Sequence, residues 1–281
     1  MLVIHNKKEL QKVLQSKVNK NCTIGFVPTM GALHTGHLSL IKRAFSQNEV
    51  TVVSIFINPT QFDNKEDLEK YPTDLRNDID LLQTVSDAII IFAPSALEIY
   101  NGDIASKKFN FNGLEKVMEG EFRTGHFNGV ATIVELLLLA VNPTHAYFGE
   151  KDFQQLQIIK KLVELKKFPF KIIGCPIERE TNGLARSSRN ERLSKSTREE
   201  AGFIFKTLNS AKSKFGIENA KSITDWVASE FAKSKLFELE YFQIADASTL
   251  TPILKKQKNI KYRAFIAVYA EGIRLIDNIA L

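Results

Sequence analysis

The sequence contains little cysteine and no long hydrophobic run. Cys22 and Cys175 are the only cysteines among its 281 residues and form no CxxC pair, so neither a zinc site nor a disulfide framework is expected. The longest apolar stretch, residues 130–141, includes Glu135 and is well short of the roughly 20 residues that cross a bilayer. The amino-terminal segment lacks an apolar run of the length that a secretory signal needs. We therefore expect a cytoplasmic protein that does not enter a membrane.

Concentrated positive charge is also missing, although the chain is basic overall. Lys and Arg number 38 against 32 Asp and Glu, which gives a net charge of +6 and a pI of about 9.1. The lysines are spread along the chain, and no basic block alternates with aromatic residues as in many nucleic-acid-binding surfaces. This pattern favours a solvated basic surface that attracts small anionic substrates, and no nucleic-acid partner is expected. An RNA-binding module is the alternative from another functional class, because the pI is basic.

Apolar, β-branched runs alternate with segments of helical periodicity up to about residue 176. The runs that predict strands are 23–27, 50–57, 88–92, 146–148 and 171–175, and the segments that predict helices are 38–45, 74–85, 130–141 and 153–166. Such alternation is typical of a Rossmann-like, doubly wound α/β fold with a parallel sheet. Later segments predict helices at 194–214 and 222–235 and then strands at 239–244, 262–270 and 273–276. We predict a first domain at 1–177 and a smaller α+β domain at 178–281.

The loop after the first long strand combines histidines and glycines at the start of a helix. It reads Met30-Gly-Ala-Leu-His-Thr-Gly-His37, and ligands of open α/β sheets bind beyond the carboxyl ends of the strands. Gly31 and Gly36 let the main chain approach a phosphate, and a helix start offers backbone N–H groups and a positive dipole. His34 and His37 can donate hydrogen bonds to phosphate oxygens. The segment predicts a phosphate site, with two internally satisfied polar histidines as the alternative.

Four further polar loops supply groups for a small substrate and a nucleotide. Asn58 and Gln61 follow the second strand with amides that suit a carboxylate, hydroxyl or amine. Residues 149–155 provide a cation and a carboxylate at a helix start, where simple capping is the alternative. Residues 186–190 offer hydroxyls and guanidinium groups that could close over a triphosphate, and 123–129 add a cation and a histidine between glycines. Together the loops indicate an enzyme that uses ATP to activate a small carboxylic acid.

Several of these segments resemble one family, the pantothenate synthetases, also called pantoate–β-alanine ligases, over nearly the whole chain. The HxGH element by itself is typical of the wider nucleotidyltransferase superfamily, and the run Gly149-Glu-Lys-Asp-Phe-Gln-Gln155 narrows the resemblance. The matching segments are 27–37, 54–62, 92–94, 125–129, 148–155 and 184–190. Their order and spacing leave little room for coincidence.

The resemblance implies a two-step reaction in pantothenate biosynthesis, which feeds coenzyme A. The carboxylate of (R)-pantoate attacks the α-phosphorus of ATP to give pantoyl adenylate and diphosphate, and the amine of β-alanine then displaces AMP. Mg²⁺ accompanies ATP, the enzyme is a homodimer, and the smaller domain closes over the site. A related nucleotidyltransferase that keeps the nucleotide on its product is the alternative enzyme.

The resemblance also implies roles for individual residues. His34 and His37 contact phosphates, and His37 is the usual assignment as proton donor, although we favour electrostatic stabilisation because pyrophosphate is already a good leaving group. Gln61 and Gln155 hold pantoate, Asn58 and Arg123 are further substrate-binding candidates, and Asp78 lies near the metal. The residues implied to bind the nucleotide are Met30, Gly31, His34, Gly36, His37, Gly149, Glu150, Lys151, Asp152, Glu178, Arg186, Ser187, Ser188 and Arg189.

Two positions depart from the family pattern. Arg186 and Glu178 stand where the family usually carries apolar residues. If the nucleotide contacts at these positions are made by the backbone, the two charged side chains do not prevent adenine binding. We predict that the two side chains pair with each other, which would neutralise both charges.

Overall fold

The computed structural model describes residues 1–17, 22–62, 65–69, 71–253 and 255–281. The chain divides into two compact units. The first comprises residues 1–115, 119–150 and 155–176, and the second comprises 116–118, 151–154 and 177–281. The predicted domain limits of 1–177 and 178–281, and the closure of the second domain over the site, stay predictions.

The first unit is built on a six-stranded parallel sheet. Its strands are β1 Leu2–Ile4, β2 Ile24–Thr29, β3 Val50–Ile55, β4 Ile90–Phe92, β5 His145–Gly149 and β6 Lys171–Cys175, in the order β1-β4-β3-β2-β5-β6. The central strands are apolar on both faces because helices cover both: Phe26, Val27, Val52 and Val53 are fully buried. The sequence prediction of a doubly wound parallel sheet is confirmed. The short strand β1 was not predicted, because three residues carry too little periodicity.

The strand order reverses direction beside β2. From β2 the chain moves outward through β3 and β4, and it then crosses back to place β5 and β6 on the other side of β2. Phe26 of β2 is in register with Val52 of β3 on one side and Ala146 of β5 on the other. Ligands of doubly wound sheets bind at this switch point, beyond the carboxyl ends of the strands. The loops that follow β2 and β5 therefore start at the expected position.

Helices connect the strands of this sheet along the chain. They are α1 Lys7–Lys17, α2 Thr35–Gln47, α3 Lys65–Glu69, α4 Leu75–Gln83, α5 Ala96–Tyr100, α6 Glu119–Phe122, α7 His126–Val141 and most of α8 Phe153–Leu165. Val27, Val53 and Ile91 share one buried cluster with Leu38 and Ile41 of α2.

Helix α7 is apolar over most of its surface. Its buried carboxylate, Glu135, lies 2.7 Å from both Lys107 Nζ and Lys166 Nζ. In the part of the chain that the structure describes, no helix is both long and apolar enough to span a bilayer.

The second unit places three helices against a small antiparallel sheet. Its helices are α9 Lys195–Glu200, α10 Gly202–Phe215 and α11 Ala220–Ala232, and its strands are β7 Glu238–Asp246, β8 Tyr262–Ala270 and β9 Ile273–Ala280, in the order β7-β8-β9. Leu208, Val227 and Ile266 are among the residues of its core. The predicted α+β character is confirmed. The single helix predicted at 194–214 is wrong, because α9 ends at Glu200 and α10 begins at Gly202, which packs closely on the backbone of Asn182.

Candidate active site

The two histidines of the loop after β2 form a reciprocal cap at the start of α2. His34 Nδ1 accepts the backbone N–H of Gly36 at 3.1 Å, and His37 Nδ1 accepts the backbone N–H of His34 at 3.4 Å. The rings lie close together, with centroids 4.1 Å apart and planes inclined by 33°. A ring nitrogen that accepts a hydrogen bond carries no proton, so each neutral ring carries its proton on Nε2. The cap therefore fixes both tautomers.

Asp78 of α4 determines the shape of the same loop. Its carboxylate accepts the backbone N–H of Leu33 at 2.7 Å and that of Ala32 at 3.1 Å. Gly31 and Ala32 are both in the left-handed region, with φ of 82° and 48°, and a Cβ on Gly31 would lie 2.9 Å from Asp78 Oδ2. Burial raises the pKa of the Asp78 carboxyl, against the lowering effect of these two backbone hydrogen bonds. The conformation of the loop after β2 thus depends on a buried carboxylate from another element.

Asn58 is buried and has a hydrogen-bonding partner for each end of its amide. Its Oδ1 accepts from the Tyr100 hydroxyl at 2.5 Å and from Thr60 Oγ1 at 3.1 Å. Its Nδ2 donates to Gly129 O at 3.2 Å and to Gln61 Oε1 at 3.0 Å. The amide of Asn58, a predicted substrate-binding residue, is therefore used in hydrogen bonds within the protein, one of which holds Gln61.

Gln61 is fixed through its side chain and its backbone. Its Oε1 accepts from Asn58, and its Nε2 donates to Met30 Sδ at 2.9 Å. Its carbonyl accepts a 2.8 Å hydrogen bond from His126 Nδ1, and Nε2 of that ring lies 3.0 Å from Arg123 Nη1. A carbonyl can only accept, so His126 is protonated on Nδ1 and its Nε2 accepts from Arg123. These contacts join three of the predicted site residues, Met30, Gln61 and Arg123.

The residues after β5 that are predicted to bind ligands are divided between the two units. Gly149 ends β5, and Glu150 and Gln155 also belong to the first unit. Within the described part of the chain, no hydrogen bond links Gln155 to the Gln61 network. Lys151 and Asp152 belong to the second unit, where their side chains form an ion pair of 3.5 Å.

The Lys151 backbone is fixed from β9 of the second unit. Its carbonyl accepts from Asn278 Nδ2 at 2.9 Å. The neighbouring Asp277 is deeply buried, and burial raises the pKa of its carboxyl, although the Arg179 guanidinium opposes this. The two groups form a bidentate ion pair of 2.6 and 2.9 Å.

The predicted phosphate clamp, residues 187–189, is anchored in the second unit by Glu180. Ser187 Oγ accepts the backbone N–H of Arg189 at 3.3 Å and starts a 3-10 turn at Ser188–Arg192. The Glu180 carboxylate accepts from Arg198 at 2.8 Å and from Asn190 Nδ2 at 3.0 Å. Burial by itself would raise the pKa of Glu180, but these hydrogen bonds and the nearby guanidinium groups hold it below its usual value.

The predicted pairing of Glu178 with Arg186 is wrong. The Arg186 guanidinium lies 3.6 Å from Glu180 Oε1, and its Nε is buried with no hydrogen-bonding partner among the described residues. The two predicted partners meet only through the backbone, where the Arg186 N–H donates to Glu178 O at 2.9 Å. Glu178 is more exposed than Glu180, whose side chain is largely buried, and a less solvated carboxylate attracts a guanidinium more strongly.

A protein-built metal site is not evident in the described residues. They include no group of three or more His, Cys, Asp or Glu side chains placed to hold a metal ion. Each Asp78 oxygen already accepts a backbone N–H. The metal role of Asp78 stays a prediction, and the structure gives this residue a separate role in the loop.

The contacts of three side chains that organise these sites were not predicted. Tyr100, His126 and Glu180 touch predicted residues from elsewhere in the chain. His126 and Arg123 share a segment in which only the arginine has a predicted role. A single tyrosine or glutamate has no local pattern that reveals such a contact.

Comparison with known proteins identifies the family. The profile of the family described as Pantoate-beta-alanine ligase matches residues 2–280. The chain belongs to the pantoate–β-alanine ligase family. It is therefore an enzyme that joins pantoate to β-alanine, which confirms the family and the reaction predicted from the sequence.

Relatives of known name agree with this assignment. The pantothenate synthetase of Christiangramia forsetii is 55% identical over 281 residues, covering 100% of this chain and 99% of the relative. The crystal structure of pantothenate synthetase from Thermus thermophilus has a TM-score of 0.90 and 36% identity, with 99% of each chain covered. A pantoate–β-alanine ligase from Francisella tularensis, solved with beta-gamma ATP and β-alanine, has a TM-score of 0.77 and 36% identity, covering 100% of this chain and 97% of the other.

Proposed function

We propose that this chain makes pantothenate in two steps with ATP as co-substrate. A pantoate carboxylate oxygen attacks the α-phosphorus of ATP, and the bond to diphosphate breaks to leave pantoyl adenylate. The amine of β-alanine then attacks the acyl carbon, AMP departs, and the amine loses a proton. The Francisella relative, solved with beta-gamma ATP and β-alanine, supports these substrates. The observation that carries the proposal is the histidine cap at the carboxyl end of β2, where two neutral rings carry Nε2–H donors.

The histidine cap favours electrostatic stabilisation over proton donation. A neutral ring that gave up its Nε2 proton would become an imidazolate, which is far too basic to form at neutral pH. A doubly protonated ring would instead set an Nδ1–H against the backbone N–H that it now accepts. His34 and His37 therefore act as hydrogen-bond donors to phosphate oxygens, where they stabilise the charge that grows on departing diphosphate.

Gln61 binds pantoate in this proposal, and its neighbours orient it. Asn58 holds the oxygen end of the Gln61 amide, which leaves the nitrogen end as the donor. In the structure that donor contacts the thioether of Met30, which is a weak acceptor. A pantoate hydroxyl or carboxylate oxygen is a stronger acceptor and replaces it. Gln155 completes the pantoate site, and Arg123 contributes positive charge through its contact with His126.

The nucleotide in this proposal is bound by the residues that the family resemblance implies. Met30, Gly31 and Gly36 bring main chain to the phosphates, and Gly149 to Asp152 bind ribose and phosphate. Ser187, Ser188 and Arg189 form the clamp, and Glu178 and Arg186 contribute backbone near adenine. Mg²⁺ would accompany ATP and neutralise phosphate charge, with Asp78 as the residue predicted to lie near it. A homodimer in the cytoplasm completes the proposal.

Isotope exchange between ATP and diphosphate tests the first step. The purified chain should exchange labelled diphosphate into ATP when pantoate is present and β-alanine is absent. Exchange that does not need pantoate, or its absence from folded protein, would overturn the proposal.

Product analysis separates this reaction from the alternative nucleotidyltransferase. When β-alanine is added, AMP and pantothenate should form in equal amounts. An accumulating product that retains the nucleotide would favour the alternative enzyme.

A further inference from the structure

The Tyr100 hydroxyl connects the end of α5 to the Asn58–Gln61 turn. It lies 2.5 Å from Asn58 Oδ1 and 2.8 Å from Thr60 Oγ1. Tyr100 is only 6% exposed, and its burial raises the pKa of the phenol. The hydroxyl is therefore protonated throughout the neutral range and serves as a stable donor.

The acceptors around Asn58 fix the direction of every hydrogen bond in this network. Gly129 O can only accept, so the Asn58 amide must direct Nδ2 towards it and Oδ1 towards Tyr100. Tyr100 then donates its single hydroxyl proton to Asn58 Oδ1. The Thr60 hydroxyl is a donor to the Tyr100 hydroxyl oxygen and to Asn58 Oδ1. Rotation of the Asn58 amide by half a turn would place its oxygen against Gly129 O. The Tyr100 hydroxyl and the Gly129 carbonyl together allow one amide orientation.

The orientation of the Asn58 amide determines the orientation of the Gln61 amide. Asn58 Nδ2 also donates to Gln61 Oε1 at 3.0 Å, which leaves Gln61 Nε2 as the donor directed at Met30 Sδ. An inverted Gln61 amide would meet Asn58 with a second N–H group and would present an oxygen to the oxygens of pantoate. The donor end of Gln61 is the end that a carboxylate or hydroxyl needs.

We propose that Tyr100 is a positioning residue for pantoate, acting through Asn58 on the amide of Gln61. The proposal rests on the proposed function of the site and adds to it a residue that does not itself touch the substrate. Loss of the hydroxyl removes one buried hydrogen bond to Asn58 Oδ1. The Asn58 amide, which then depends on Gly129 O and the Thr60 N–H for its orientation, holds Gln61 less firmly. Pantoate binding weakens, while ATP binding, which uses other loops, does not change.

A Tyr100→Phe variant tests the proposal in the full-length chain. The KM for pantoate in pantoate-dependent ATP–diphosphate exchange should rise about tenfold, as expected for one buried hydrogen bond. The KM for ATP should stay within about twofold. The matched control is Tyr147→Phe, because Tyr147 is also buried and its hydroxyl lies 2.8 Å from Asn48 Nδ2 and 3.0 Å from Gln47 Oε1. The control should leave both KM values unchanged.

The outcomes of this test are distinct from failure of the proposed function. A wild-type chain without pantoate-dependent exchange refutes the function itself. A wild-type chain that exchanges normally, together with a Tyr100→Phe variant of unchanged pantoate KM, overturns the positioning role. Equal changes in the KM values for pantoate and ATP, or the same change in Tyr147→Phe, also overturn it, because a general loss of structure would act in that way.

A fluorinated tyrosine at position 100 keeps the shape of the side chain. It therefore provides a second test if the Tyr100→Phe variant folds poorly. Fluorine lowers the pKa of the phenol, so the hydroxyl ionises at a pH where the natural residue still donates. The KM for pantoate should then rise with pH in the fluorinated enzyme while the wild-type value stays level. The same pH profile in both enzymes would contradict the proposal.

Discussion

Asp78 Oδ1 accepts the backbone N–H of Leu33 at 2.7 Å, so a carboxylate on α4 fixes the loop that carries His34 and His37. The second carboxylate oxygen accepts from Ala32 at 3.1 Å. An Asp78→Asn variant keeps the shape but turns an N–H group towards one of these donors. We expect kcat/KM for ATP to fall roughly 10- to 100-fold, the cost of a lost charged hydrogen bond. Steady-state kinetics measures the effect.

The same variant separates a loop role from a metal role. If Asp78 only shapes the loop, the Mg²⁺ concentration for half-maximal activity should match that of the wild type. A large rise in that concentration would instead support the predicted metal role. Asp87→Asn is a matched control, because Asp87 belongs to the same unit and its side chain is 74% exposed. It should change neither quantity.

The two histidines can be separated into capping and chemical functions by substitution. A His37→Gln variant retains an acceptor for the His34 backbone N–H, as glutamine does in ordinary capping boxes, but it lacks the imidazole donor. We expect stability within about 0.5 kcal/mol of the wild type and kcat about 100-fold lower. His37→Ala should lose a similar factor in kcat and also stability. Thermal unfolding and exchange kinetics give the two readouts, and equal losses of kcat and of pantoate affinity would argue against a transition-state role.

Glu180 should make the stability of the protein depend on pH. The pKa of Glu180 is lower in the folded chain than its usual value near 4.5. Its contribution is therefore complete above that value and is lost as the pH falls through the lowered folded pKa. Urea unfolding between about pH 7 and pH 3 should show a smaller loss of stability on acidification for Glu180→Gln than for the wild type.

The Glu180→Gln variant should also raise the KM for ATP, because Asn190 and Arg198 hold the clamp through this carboxylate. Asp225→Asn in α11 is the control, since Asp225 forms an exposed ion pair with Lys221. Exposed pairs contribute little. A pH profile for Glu180→Gln that coincides with the wild-type profile would rule out the proposed anchoring.

Gly129 allows α7 to lie directly on the Asn58–Gln61 turn. A Cβ at this position would meet Thr60 O at 2.2 Å and Gln61 Cα at 2.8 Å. Alanine is normally favoured over glycine inside a helix by roughly 0.5–1 kcal/mol, but overpacking against backbone costs about 1–3 kcal/mol. We expect Gly129→Ala to destabilise the chain and to raise the KM for pantoate.

Gly216→Ala is the control for this substitution, because a Cβ at Gly216 would meet its nearest atom at 3.8 Å. Chemical denaturation should show a small change or a gain in stability for the control. A Gly129→Ala variant at least as stable as the wild type would contradict the close packing.

The main elements of the fold could be predicted from local patterns. β-branched runs such as 50–57 gave strand β3, and apolar spacing gave α2 and α8 within a few residues of their observed limits. Strand β1 and the break at Ala201 could not be predicted in this way. β1 is held by pairing with β4, and the break depends on the contact of Gly202 with Asn182. Both are contacts between segments distant in the sequence.

The partner of Arg186 shows why the contacts of a site are harder to predict. Glu178 and Glu180 are two residues apart and both acidic, so the sequence offers no reason to prefer one. Arg186 pairs with Glu180 because the Glu180 side chain is largely buried and is less screened by water than the exposed Glu178. Burial, rather than proximity in sequence, decides the pairing.

The sequence by itself determined the family, the parallel sheet, and the loop from Met30 to His37, because glycines and histidines at a helix start are a local pattern with a chemical meaning. Tertiary structure alone decided how that loop and Gln61 are oriented. Asp78 reaches Leu33 across 45 residues, and Tyr100 reaches Asn58 across 42. Such contacts depend on how the helices pack on the sheet, and packing brings together single polar side chains that carry no local signal.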